Sequence, residues 1–208
     1  MLKQGIQQAD ISVDELTHSL VKDDPGPVSR LFKMRALEVP KIVWNPTPDV
    51  TGLRKLDFLI GYWRDAWRDD EPPGCDAIDP VTLKPVLGHV LICEPVDAGK
   101  DFLIRLYGTN MAQHMGRDLT GMRVSQFQPE SYISDFYLAT YRAVTSRGEP
   151  LFTHHWPSAE AFADEIPRLL LPFSENGKVT RILACADAIP RKPSVRRGWE
   201  INSQDDYR

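Results

Sequence analysis

With 208 residues, 42% of them hydrophobic and 26% charged, the chain is long enough to bury the core of one domain with extensions. A net charge of −4 at pH 7 and a pI near 5.7 argue against a nucleic-acid partner, because nucleic-acid binders carry a basic balance. No long uncharged apolar span is present, so neither a transmembrane helix nor a membrane partner is expected.

Residues 1–51 read as an N-terminal arm. Val13–Leu20 and Val28–Ala36 each suit a short helix, separated by Asp23-Asp24-Pro25-Gly26-Pro27. Pro40, Pro46 and Pro48 then enforce extended or turn backbone. The arm lies on the domain or on a partner, or is disordered over much of its length. Its first residues lack the apolar run of a signal peptide. Cys75, Cys93 and Cys185 show neither C-x-x-C nor zinc-like spacing and read as free thiols, mostly buried, which suits a reducing cytoplasm.

Gly52–Arg68 predicts a helix with Thr51 as its N-cap. Leu53, Leu56, Ile60, Trp63 and Trp67 recur at intervals of 3, 4, 3 and 4, a heptad seam, and Phe58, Leu59, Tyr62 and Ala66 widen it. So much aromatic surface must be covered, by the domain's own sheet, by a second copy, or by both.

Asp79-Pro80 opens a short helix, and His89–Val96 follows as a first strand. A turn at Asp97–Lys100 leads to a second strand, where Phe102, Ile104 and Leu106 alternate with Leu103, Arg105 and Tyr107. Thr109 can cap a short helix ended by Gly116, and Asp118–Gly121 is a further turn. Pro129 and Glu130 open a helix running to about Ser146, with Tyr132, Tyr137 and Tyr141 on it. Leu151–Pro157 is a third strand and Ser158–Ile166 a polar loop. Pro167–Phe173 and Val179–Ala188 are strands four and five, joined by an Asn176-Gly177 hairpin turn. Pro190–Arg208 is a polar tail with Trp199 as a docking point, so the domain itself spans 52–190 and the tail 191–208.

Three short patterns stand in order: D-P-x-x-L at Asp79–Leu83, R-x-x-G-T at Arg105–Thr109 and G-x-x-L-x-G at Gly116–Gly121. Together they resemble the PAS-like family of small bacterial proteins, over roughly Leu53 to Pro190. The resemblance implies an α+β fold: a five-stranded antiparallel sheet, short helices on one face and a flanking N-terminal helix. It also implies a sensory or regulatory module that dimerises through that helix, which makes Leu53, Leu56, Ile60, Trp63 and Trp67 the expected homodimer interface. A signalling protein of unspecified identity is the further partner.

No enzyme signature is present: no G-x-S-x-G, no H-E-x-x-H, no phosphate loop and no dinucleotide glycine pattern. The fold implied by the resemblance leaves a cup between curved sheet and helices. Its expected walls are Phe102, Ile104 and Leu106, with Met111, His114, Tyr137, Tyr141 and Trp156, and Arg105 and Arg168 are the charged residues nearest them. Either arginine can hold a carboxylate or phosphate bidentately. A core packed solid, with the arginines paired to acidic residues, is the plainer alternative, and it goes with a ligand-free scaffold. No cofactor is expected. Haem held through His114 is the one that the resemblance allows, and the cysteine motif of flavin photosensors is absent. His154 and His155 are adjacent, so on a strand they point to opposite faces.

Overall fold

Residues 11–68, 71–126, 131–157 and 163–190 are described by a computed structural model, and the side chains of His114, Ser131 and Pro190 fall outside that description. β2 (Val90–Val96) turns back through Asp97–Gly99 into β3 (Asp101–Tyr107). After two helices come β4 (Leu151–His155), β5 (Ala163–Glu175) and β6 (Lys178–Ala186). Asn176 and Gly177 join the last two with both φ angles positive, the geometry whose twist matches that of the flanking strands. These strands stack antiparallel in the order β4–β5–β6–β2–β3.

Two strands go beyond the expected five. β1 (Lys41–Trp44) comes from the arm and pairs with β4 at the edge of the sheet. The prolines at 40 and 46 bracket these four residues and, lying outside them, leave every N–H of the strand free to pair. β7 (Ile189–Pro190) pairs with the start of β5, so β5 begins at Ala163, inside the stretch expected to be a loop to Ile166. The expected loop positions 158–162, the helix start at Pro129-Glu130 and the tail from 191 lie outside the described residues.

Three apolar clusters divide the molecule. On the inner face of the sheet, α6 (Ser131–Arg147) lays Leu138, Tyr141 and Val144 over Leu91, Cys93, Phe102, Ile104, Leu151, Leu170 and Ile182. The opposite side of α6 carries Tyr132, Phe136, Ala139 and Ala143. These meet Leu16, Leu20, Val28, Leu31 and Phe32 from α1 (Val13–Val21) and α2 (Gly26–Lys33). Both halves of α6 are therefore covered, one by the sheet and one by the arm.

On the outer face, α4 (Arg54–Ala66) sets Leu56, Leu59, Ile60 and Trp63 against Phe152, Leu169, Leu171, Phe173 and Leu183. The helix starts two residues later than expected. Gly52 takes a left-handed φ of 62° after a short turn, α3 (Pro48–Thr51), and the Thr51 hydroxyl accepts from Leu53 N–H at 3.2 Å instead of capping the helix. The 79–87 stretch is a chain of turns held by Asp79, whose carboxylate accepts from Val81 and Thr82 N–H, where a short helix was expected.

The alternation along β3 breaks once. Ile92 faces Leu106 and Cys93 faces Ile104, which leaves Arg105 as the unpaired residue of a β-bulge. Past the bulge the facing inverts: Phe102 and Ile104 point inward, Leu106 is 36% exposed, and Tyr107 is buried. Leu106 therefore leaves the expected wall.

Gly108 follows at once. A Cβ there would sit 2.4 Å from the carbonyl oxygen of Gly88 and 2.8 Å from that of Leu87, both backbone atoms. Its φ of −60° and ψ of 144° suit any residue, so the demand is for space alone. Gly108→Ala should cost about 1–3 kcal/mol through overpacking. A thermal midpoint equal to wild type would show that the 87–88 turn can move aside.

Candidate functional site

The helix α6 brings Tyr137 and Tyr141, one turn apart, over the inner face near the β4 end of the sheet. Opposite them, Thr153 on β4 pairs directly with Arg168 on β5, and His155 pairs with Ile166. Residues 151, 153 and 155 share one face because the strand repeats every two residues. Leu151 faces the inner core, so Thr153 and His155 do too.

Arg168 is only 4% exposed. Its guanidinium carbon lies 3.7 Å from the Tyr137 ring centroid and 5.6 Å from that of Tyr141. Among the described residues it forms no ion pair. The neighbouring carboxylates are engaged elsewhere: Glu165 with His154 at 2.9 Å, Asp187 with Lys55 at 2.7 Å, and Glu94 with Arg105 and Arg181 at 2.6 Å each. A guanidinium over an aromatic face gains from the ring quadrupole, but this does not replace a counter-charge.

Hydrogen bonding around Arg168 is also incomplete. Arg168 Nη1, Tyr141 Oη, Thr153 Oγ1 and His155 Nδ1 are all buried and lack partners among the described residues. The Tyr141 hydroxyl faces the guanidinium without completing a bond of ordinary geometry. His155 Nε2 lies 3.2 Å from the Tyr137 hydroxyl, and the ring is walled by Phe32, Phe136 and Tyr137 at centroid distances of 6.4, 6.0 and 5.6 Å. Buried polar atoms are nearly always paired. Three of these unpaired atoms, on Tyr141, Thr153 and His155, belong to neighbours of a buried cation that is itself unsatisfied at Nη1.

Burial sets the protonation states here. It pushes the Tyr137 and Tyr141 phenols up, with Arg168 pulling the other way. His155 is pushed down to about 3, first by burial and then by the Arg168 and His154 charges. At neutral pH the site therefore holds one positive charge and neutral donors. Cys93, in the adjacent core, is pushed up by burial and stays a thiol.

The residues expected from sequence divide clearly. Arg168, Tyr137 and Tyr141 come together. Phe102 and Ile104 form apolar wall beside them, with the Phe102 and Tyr141 rings 5.4 Å apart, and Met111 on α5 (Thr109–Met115) packs on the same cluster. Arg105 does not take part: the bulge turns it outward, 55% exposed, onto Glu94. Trp156 also leaves the site, stacking on His154 at 4.5 Å on the far side of β4. His114 lies on α5, with its side chain outside the described residues. Thr153 and His155 are the residues that sequence reading left out of the site. Their signal was the alternation that carries them inward with Leu151.

Of the expected interface, Leu56, Ile60 and Trp63 are spent within the chain against the outer sheet face, and Leu53 and Trp67 at the two ends are partly covered. Phe58 is on the outward side, stacked at 6.3 Å on Tyr62, whose own hydroxyl donates to the Ala77 carbonyl and accepts from Asp79 N–H. Among the described residues no group of three or more His, Cys, Asp or Glu could hold a metal ion, and no helix is long and apolar enough to cross a membrane.

An antiparallel sheet in this order, with a long helix over its inner face and a flanking helix on its outer face, makes this an α+β domain. The family profile described as PAS domain matches residues 54–186, and the chain belongs to that family. No curated protein and no solved structure matches it. PAS domains are generally sensory or regulatory modules, so the matched region is one such module.

Proposed function

We propose that this chain is a non-catalytic, cytoplasmic sensory module that binds a small organic molecule in the cup between sheet and α6 and reports occupancy to a protein partner. The observation that carries the reading is the group of four unpartnered buried polar atoms around Arg168. Small-molecule sites combine apolar walls with a few convergent polar groups, and this region of the core combines the two kinds of residue. The three free cysteines agree with a reducing compartment.

Signalling would work as a population shift. Tyr137 and Tyr141 face the site, while Tyr132, Phe136, Ala139 and Ala143 on the same helix hold the arm. A ligand that moves α6 thereby moves the seat of α1 and α2. Homodimerisation belongs to the proposal as well, through exposed Phe58 on α4 and the half-buried Leu53 and Trp67 at its two ends.

Native mass spectrometry of the purified full chain, with an absorbance scan on the same sample, tests this. We expect a polypeptide, monomer or dimer, carrying extra small-molecule mass that is released on denaturation. A bare polypeptide, both as purified and after incubation with a small-molecule extract of the source cells, would favour a ligand-free scaffold instead.

A further inference from the structure

We infer that the ligand is a small monocarboxylic acid whose carboxylate sits between Arg168, Tyr141, Thr153 and His155. The inference rests on the reading of the cup as a small-molecule site and adds the chemical class.

Arg168 cannot lose its proton, and it is buried without an anionic partner among the described residues. Ordered water would satisfy the hydrogen-bonding groups but would supply no charge. An anion supplies both.

The number of charges comes next. One guanidinium and otherwise neutral groups balance a single negative charge. A phosphate monoester, carrying up to two, would leave an uncompensated charge in an apolar core.

Geometry then narrows the choice. A planar carboxylate offers two oxygens and about four acceptor positions and pairs bidentately with guanidinium. Four unsatisfied positions on neighbouring residues are available to it: Arg168 Nη1, Tyr141 Oη, Thr153 Oγ1 and His155 Nδ1. Two hydroxyls and the guanidinium donate outright. His155 donates from Nδ1 when its Nε2 accepts from the Tyr137 hydroxyl, a contact already in place at 3.2 Å. The surrounding residues, Phe102, Ile104, Leu151 and Leu170, are apolar core, so the body attached to the carboxylate would meet hydrocarbon.

The test follows thermal midpoints of the full chain at neutral pH and constant ionic strength. The probes are acetate, butyrate, hexanoate, octanoate, benzoate and phenylacetate, the matching primary amides, and inorganic phosphate. We expect saturable stabilisation by at least one carboxylate and none by its amide. Arg168→Met should weaken that carboxylate about a hundredfold, and Tyr141→Phe about tenfold, as the loss of a charged and a charge-assisted hydrogen bond implies. Arg168→Met should be no less stable than wild type without ligand, because it removes an unpaired buried charge.

Amides binding as tightly as acids, with Arg168→Met unaffected, would overturn the carboxylate class and leave the small-molecule site standing. A larger response to phosphate than to any carboxylate would make the site one for inorganic anions. No response to any probe, together with a large drop in stability for Arg168→Met, would make Arg168 structural and end the inference, while the native mass of the chain still decides the broader reading.

Discussion

Trp63→Ala should destabilise the chain by about 3–5 kcal/mol, the range for deleting a large buried aromatic. Trp63 is buried between α4 and the outer sheet face, and its indole N–H donates to the Pro172 carbonyl at 2.7 Å. The deletion removes that bond, leaves the carbonyl without it, and opens a space next to Trp67, whose ring lies 4.6 Å away. Phe58→Ala on the outward side should cost under about 1 kcal/mol, since Phe58 is 37% exposed. Urea denaturation measures both. Equal effects would mean that α4 is not docked on this sheet. A Trp63→Ala protein that keeps its stability but loses a dimer in sedimentation would place the seam against a second copy.

The helix and its seam are legible in the sequence because a 3-and-4 spacing of Leu56, Ile60 and Trp63 has one physical meaning, a face to be covered. What covers it is not in the spacing, since a sheet and a second helix satisfy the same residues. Strand order was legible for a similar reason: turn chemistry at Asp97–Gly99 and Asn176-Gly177 punctuates the apolar runs. The bulge was not. A single extra residue in β3 leaves the composition of the run unchanged, yet it sends Arg105 to Glu94 and Leu106 to solvent. β1 was hidden because four residues between prolines carry too little pattern to register as a strand.

The candidate site shows the same division. Arg168, Tyr137 and Tyr141 stood out as polar residues in apolar elements, which is a one-dimensional signal. That Thr153 and His155 join them depends on which face of β4 meets α6, and that is settled by partners distant in sequence. The opposite pointing of His154 and His155 could be read directly. His154 goes out to Glu165, and His155 goes in under Phe32 and Phe136.

His155 gives the second large effect, an acid-sensitive stability with a defined window. In the folded chain its pKa is pushed down from 6.5 to about 3, so it stays neutral over a range where the unfolded chain protonates it. The unfolded state then binds the extra proton, and stability falls as pH falls. The contribution is whole above pH 6.5 and is lost progressively toward pH 3. The slope is about 1.4 kcal/mol per pH unit, so a descent from 6.5 to about 4.5 should remove roughly 2–3 kcal/mol. Burial among the rings of Tyr137, Phe32 and Phe136, and then the charges of Arg168 and His154, explain why the imidazole resists the proton. Denaturant titrations across this window should show the slope in wild type and its loss in His155→Gln, which cannot titrate. An equal slope in both would place the acid sensitivity elsewhere. A bound carboxylate adds a further consequence. Its negative charge would lie beside His155, raise the imidazole pKa and flatten the wild-type slope, whereas in Arg168→Met the same acid should leave the slope unchanged.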